Sequence, residues 1–215
     1  MVYVMSDIHG EAQRFQKMLK LIKFSADDTL YIIGDVADRY PGGVELWKRI
    51  MQTPNIHMIK GNHEDMCIKT LGTHHEFGAR NLWRQNGGSS TYREMMYVIS
   101  EKERHEILSW MENLPSYMDV VVGDRKFRLV HGWPGEDEDS FLWGRPTEHQ
   151  QMWLPSDMIA VIGHTPTCFL SGNMVAPFGI YYGYRYVAID CGCGNTTELR
   201  RLACLRLDDM EEFYV

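Results

Sequence analysis

The chain has 215 residues, 44% hydrophobic, 24% charged and 12% aromatic, a globular composition that excludes a disordered or collagen-like polymer. Its 22 Lys and Arg against 29 Asp and Glu leave a net charge of −7, which argues against nucleic acid as a partner. One domain over 1–215 buries roughly 70% of the surface its unfolded chain exposes, so the five cysteines are not needed as staples.

Short, nearly continuous apolar runs recur along the chain, the pattern of strands buried on both faces. Val2–Met5 is the first, and an amphipathic helix over Glu11–Phe24 comes after it, with Phe15, Met18, Leu19 and Ile22 on one face. Leu30–Ile33 and Ile56–Ile59 come next. Residues 72–114 contain no strong strand and read as a helical insert, a small cap beside the sheet. Within it, Ser100-Glu101-Lys102-Glu103 forms a capping box that opens a helix to about Leu114, where Pro115 stops it. Tyr117–Val122 and Lys126–Val130, joined around Gly123-Asp124, read as a β-hairpin. Met158–Ile162 and Tyr186–Ile189 complete the buried runs, and Leu202–Leu207 and Phe213–Val215 read as late antiparallel strands. The predicted fold is α/β, with mixed strand pairing in a single domain. No run approaches the roughly 20 residues of a membrane span. Met1–Met5 leads into Ser6-Asp7 without the pattern of a secretory leader, which predicts a cytoplasmic protein with reduced thiols and no membrane partner.

The residues immediately after each run carry the chemistry. Asp7 and His9 come after the first, and Gly34, Asp35, Asp38 and Arg39 after the second. Gly61, Asn62, His63 and Glu64 succeed the third, His131 and Gly132 the fourth, and Gly163, His164, Thr165 and Pro166 the fifth. In open α/β sheets, sites form at the carboxyl ends of strands, so these side chains are expected on one rim. The set offers carboxylate oxygens, imidazole nitrogens and an amide oxygen but no sulfur, which suits Mn, Fe or Zn. Asp7 and His9, alternate residues of one extended segment, can chelate together. The donors are too many for one tetrahedral zinc and suit two ions sharing a carboxylate, for which Asp35 is the candidate.

Asp7-Ile8-His9-Gly10, Gly34-Asp35-Val36-Ala37-Asp38-Arg39, Gly61-Asn62-His63-Glu64, His131-Gly132 and Gly163-His164-Thr165-Pro166 closely resemble the successive motifs of the phosphoprotein phosphatases. These belong to the larger calcineurin-like metallophosphoesterases. Trp83 with Asn86-Gly87-Gly88 just after it is similar to the bacterial and phage branch, and the resemblance runs from residue 7 to about 192. It implies the calcineurin-like fold, with mixed β-sheets flanked by helices, and two divalent ions per chain, Mn first and Fe or Zn otherwise. One ion is then held by Asp7, His9 and Asp35, and the second by Asp35, Asn62, His131 and His164. Asp38 and His63 match the family's acid pair, while Arg39, Arg145 and Asn62 match its phosphate-binding side. The implied reaction is phosphomonoester hydrolysis by a water activated between the metals, with His63 protonating the leaving group and no phosphoenzyme. Serine/threonine protein phosphatase activity, extending to phosphotyrosine, is the expectation; a dinucleoside tetraphosphatase or another small-molecule phosphoesterase is the alternative. A non-catalytic scaffold is the remote one. Two positions depart from the family: Tyr40, where glycine is common and where a ring would narrow the approach to the metals, and Ala37, where valine is usual.

Other residues have simpler readings. Cys191 and Cys193 read as small packing residues more readily than as a redox pair, and Asp190 as a residue that orients a metal ligand or none. Glu136-Asp137-Glu138-Asp139 reads as a solvated acidic loop that could also select basic substrate flanks. Trp133, Trp143 and Trp153 fit a groove or a core equally, His74 and His75 read as surface residues, and Glu64 has a supporting role. Nothing marks an oligomer interface.

Overall fold

Two five-stranded sheets face one another in the computed structural model, which describes residues 1–147 and 151–215. In chain order the strands are β1 (Val2–Met5), β2 (Thr29–Ile33), β3 (Ile56–Ile59), β4 (Tyr117–Val122), β5 (Arg125–Val130), β6 (Met158–Ile162), β7 (Tyr181–Gly183), β8 (Tyr186–Ala188), β9 (Ala203–Arg206) and β10 (Glu212–Tyr214). The helices are α1 (Ala12–Leu21), α2 (Gly43–Met51), α3 (Asn62–Leu71), α4 (Ala79–Gln85), α5 (Ser89–Tyr97), α6 (Glu101–Glu112), α7 (Glu138–Trp143) and α8 (Thr167–Ser171). The first sheet runs β10-β9-β1-β2-β3 and the second β4-β5-β6-β8-β7. β1, β2 and β3 are parallel, as are β5, β6 and β8; the outer strands β10, β9, β4 and β7 pair antiparallel. Both sheets are therefore mixed, as the resemblance implies.

Alternation along each strand divides its side chains between two cores. Val4, Ile33, Ile59 and Leu205 face the second sheet, where they meet Phe127, Leu129, Val161 and Val187. Tyr3, Met5, Leu30, Ile32 and Met58 point the other way, onto Phe15 and Met18 of α1, Trp47 of α2 and Ile107 and Met111 of α6. Val130, Ala160, Ile162 and Ala188 pack the outer face of the second sheet with Trp133. Burial on both faces explains why the runs are continuously apolar, and each fully buried large side chain contributes roughly 1.5–3 kcal/mol.

Several expectations shift at their edges. The first helix ends at Leu21, because Lys23 turns left-handed at φ 51° and the chain reverses into β2. The helix opened by Ser100 ends at Glu112, two residues early, with its capping box formed on both sides. Helices α2, α3, α7 and α8 and strand β7 were not expected from the pattern. Among the described residues, no helix is long and apolar enough to cross a membrane.

Candidate metal centre

The carboxyl ends of β1, β2, β3, β5 and β6 meet at one rim, tied by backbone hydrogen bonds. Asp7 N donates to Gly34 O (3.2 Å), His9 N to Asp35 O (3.0 Å) and Gly163 N to His131 O (2.8 Å). Among the described residues, nine non-glycine residues have positive φ, and six of them are Asp7, His9, Asp35, Asp38, Arg39 and His164. Strained backbone concentrated in this way marks a site where side-chain direction outweighs local comfort. Two glycines permit the close approach: a Cβ on Gly61 would lie 2.4 Å from Asp35 Oδ1, and one on Gly163 would lie 2.5 Å from Asp7 Oδ2.

Asp35 sits at the centre. His131 Nε2 lies 3.3 Å from its Oδ1, and His9 Nε2 and His63 Nε2 each lie 3.7 Å from its Oδ2. Ligand atoms of His9, Asp35 and His63 lie within 4.8 Å of one another, as do those of Asp35, His131 and His164. Asp7 adds a carboxylate oxygen 3.8 Å from His9 Nε2, and is held by Ser6 Oγ and by the backbone N–H of His164 at 3.0 Å.

The donor chemistry fits a cation. His9 Nδ1 donates to Ala37 O (3.1 Å) and His131 Nδ1 to Ile33 O (2.8 Å), so each ring can turn an Nε2 lone pair inward. His164 Nε2 is buried with no partner among the described residues. The inner end of the Asn62 amide lies 2.8 Å from His131 Nε2, 3.2 Å from His164 Nδ1, and 3.2 and 3.3 Å from the Asp35 carboxylate. With neutral rings and no ion an NH2 group fits among those lone pairs; with an ion bound, or with His131 protonated and donating its Nε2–H, the carbonyl oxygen fits. Lone pairs converging from carboxylate, imidazole and amide need positive charge between them.

Protons balance this charge in the cluster by itself. Burial opposes protonation of His131, yet the Asp35 and Asp7 carboxylates outweigh it and push its pKa up to about 10. Burial works the other way on Asp35, but His131 and His63 hold its carboxyl well below the usual range. Burial, reinforced by the charge of His131, pushes His164 down to about 3. Divalent ions among these groups would take over the role of the protons.

The remaining predicted residues are also brought here. His63 Nδ1 lies 2.6 Å from Asp38 Oδ2, which leaves Nε2 facing Asp35. Against burial, Asp35 and Asp38 raise the His63 pKa. Arg39 is exposed at the rim, close enough to His9 to disfavour its protonation, and Arg145 Nη1 lies 3.4 Å from Thr165 Oγ1, next to His164. The Tyr40 hydroxyl donates to Asn195 O (2.7 Å) beneath the Arg200 guanidinium, in the loop whose Gly194 packs against His9. Ala37 suits its place, since a Cβ on Gly43 would lie 2.4 Å from the Ala37 methyl.

Glu64 does more than its sequence position announced. Its two oxygens accept from Asp35 N (2.9 Å), Gly61 N (3.1 Å), Val36 N (3.0 Å) and Trp47 Nε1 (3.2 Å), which fixes the β2 and β3 loops to each other. Trp83 and Thr91 were not expected at the site. Trp83 Nε1 donates to Asp38 Oδ2 (2.6 Å), and Thr91 Oγ1 accepts from Asp38 N (3.2 Å). The signal lay in the Trp83 and Asn86-Gly87-Gly88 motif, but its partner is 45 residues away.

Other residues fall outside the cluster. Asp190 accepts from Gly192 N (2.9 Å) and bonds none of the donors. Cys191 and Cys193 are free, buried thiols whose pKa values burial pushes up. In the acidic loop, Asp137 caps α7 and Glu138 bonds Ser116 and Lys60, so two of its four carboxylates have local structural partners. Trp133 is core, Trp143 packs edge-on against His164 at 5.9 Å, and Trp153 is exposed, as are His74 and His75.

Comparison with known proteins agrees with this geometry. The profile of the calcineurin-like phosphoesterases matches residues 1–189. Over 163 residues the chain is 26% identical to serine/threonine-protein phosphatase 2 of Escherichia coli K12, covering 74% of this chain and 69% of that one. Over 143 residues it is 25% identical to the symmetrical bis(5'-nucleosyl)-tetraphosphatase of Acidovorax ebreus, covering 63% of this chain and 47% of that one. Among solved structures, a Saccharomyces cerevisiae protein serine/threonine phosphatase matches 100% of this chain and 78% of its own, with TM-score 0.61 at 14% identity. A cold-active protein-tyrosine phosphatase of a Shewanella species matches 99% and 79%, with TM-score 0.56 at 14% identity. At such identity the two structures share the fold. The chain belongs to the calcineurin-like phosphoesterase family.

Proposed function

We propose that this phosphoesterase is a metal-dependent phosphomonoester hydrolase whose substrate is a phosphorylated serine or threonine of a protein, with phosphotyrosine as a further substrate. The observation that supports it most is the His63–Asp38 pair, bonded at 2.6 Å, with His63 Nε2 facing the Asp35 cluster. An alkoxide is a poor leaving group, and a protonated imidazole beside the reacting atoms supplies what it lacks. Asp7, His9 and Asp35 would hold one divalent ion, and Asp35, Asn62, His131 and His164 a second, manganese first among the candidates. When bound, such ions acidify water and neutralise charge on phosphoryl oxygens.

The chain's own residues do the rest. Arg39 and Arg145 grip the outer phosphate oxygens with their planar forks, and Asn62 assists from the α3 terminus. Asp38 keeps His63 protonated, and His63 Nε2–H then passes its proton to the departing oxygen. All five cysteines are free and buried, which supports a reducing compartment, the cytoplasm, as the place of work.

The phosphatase reading draws support from the broader match, 74% and 69% of the two chains against 63% and 47% for the tetraphosphatase. That second match favours dinucleoside tetraphosphate as the other reading. A panel of phosphoserine, phosphothreonine and phosphotyrosine peptides assayed with Mn²⁺ beside diadenosine tetraphosphate decides between them. Higher kcat/KM on a phosphoserine or phosphothreonine peptide supports the proposal; higher kcat/KM on the dinucleotide overturns it.

A further inference from the structure

The first half of the helical insert holds a locally basic stretch in an otherwise acidic chain. Between Glu76 and Glu94 stand three arginines, Arg80, Arg84 and Arg93, and no acidic residue, in a protein of net charge −7. Helices α4 and α5 bring all three to one cavity of about 190 Å³, walled also by Trp83, Tyr92 and Tyr97. No carboxylate lines it. Among the described residues, the arginines in ion pairs are Arg128, Arg200 and Arg206, so none of the three guanidiniums is ion-paired. Three like charges around one small space repel each other, and an anion among them removes that cost.

The cavity has built walls. The Arg80 guanidinium lies 4.2 Å from the Tyr92 ring centre, a cation–π contact that positions the group. Its inner wall is the buried Trp83 indole, which donates to Asp38 Oδ2 at 2.6 Å. A Cβ on Gly88 would lie 2.3 Å from that ring, so only glycine lets the α5 terminus close against it. The same turn reaches the rim arginine, since Arg39 N donates to Gly87 O at 3.2 Å. One indole ring thus separates the cavity from the Asp38–His63 pair.

We propose that this cavity is a second phosphate subsite, which takes a phosphoryl group other than the one at the metal centre. Guanidinium forks match phosphate oxygens, and the exposed Tyr97 ring can cover whatever carries the phosphate. That carrier is either a neighbouring phosphorylated residue of the same peptide or a nucleotide.

Calorimetry on the Mn²⁺-loaded full chain tests it with inorganic phosphate as the probe. Two phosphates per chain are expected, and Arg84→Ala/Arg93→Ala should weaken one of them by about tenfold or more while leaving p-nitrophenyl phosphate hydrolysis unchanged. Two non-hydrolysable probes, a phosphonate peptide and an adenosine methylene-diphosphonate, identify the source by which binds tighter at the site the variant weakens. A single phosphate per chain, or a second one that the variant leaves intact, overturns the proposal. Hydrolysis is read separately, so a failed subsite is distinguishable from a failed phosphatase reading.

Discussion

His63 and Asp38 are both about 1% exposed, and the imidazole Nδ1 lies 2.6 Å from carboxylate Oδ2. The same oxygen takes the Trp83 N–H at 2.6 Å, while Oδ1 is buried with no partner among the described residues. One carboxylate therefore couples the helical insert to the imidazole, and its charge favours the imidazolium. With His63 as the proposed acid, activity is expected to fall as pH rises through the His63 pKa. Asp38→Asn removes a group that raises that pKa, so the alkaline limb of kcat/KM should move to lower pH. His63→Asn should lower kcat roughly 10²- to 10⁴-fold on substrates with poor leaving groups, with metal content retained. Metal lost in that variant would make His63 a ligand instead of the acid.

Glu64 supports the site without facing it. Each of its oxygens accepts two N–H groups, so an amide in either orientation turns an NH2 toward two donors. Glu64→Gln should cost about 3 kcal/mol, measured as a lower urea midpoint with unchanged m-value. A midpoint equal to that of the native chain would remove Glu64 from this role.

Acid stability has an identifiable contributor far from the site. Glu103 accepts from Lys48 Nζ (2.5 Å), Ser100 N (2.9 Å) and Ser100 Oγ (2.8 Å), and the Lys48 ammonium leads in lowering its pKa to about 2. A depressed folded pKa stabilises above the ordinary value of 4.5 and is lost as pH falls through about 2. The Tm gap between the native chain and Glu103→Gln should therefore be full at neutral pH and close across that window. A gap independent of pH would assign the effect to packing.

The donor residues of the site were readable because each comes directly after a buried strand, where apolar runs end abruptly in Asp, Asn, His or Gly. The two-sheet core was readable for the same reason, since burial on both faces removes polar residues from β1, β2 and β6. Helix α3 was not, because beside Met66 and Cys67 it buries Asn62, His63, Glu64 and Asp65, polar side chains that break the apolar period. Helix α2 begins behind Pro41-Gly42-Gly43, which reads as a turn, although Val44, Leu46, Trp47 and Ile50 are buried. The motif around Trp83 singled the residue out but not its task, since a hydrogen bond to Asp38 across 45 residues exists only after folding. Tyr40 carried a specific expectation, a narrowed approach, and its hydroxyl bonds Asn195 O in the loop whose Gly194 packs against His9.

Asp35, shared between two groups of inward-facing donors, is proposed to organise a dinuclear centre. Manganese per chain, measured by elemental analysis after equilibration and desalting, tests it most directly, with p-nitrophenyl phosphate hydrolysis monitored in parallel. Two equivalents are expected in the native chain and fewer than one in Asp35→Asn, with hydrolysis abolished by chelation and restored by Mn²⁺. Native protein that takes up no manganese at saturation, or that hydrolyses at full rate once verified metal-free, would contradict the account.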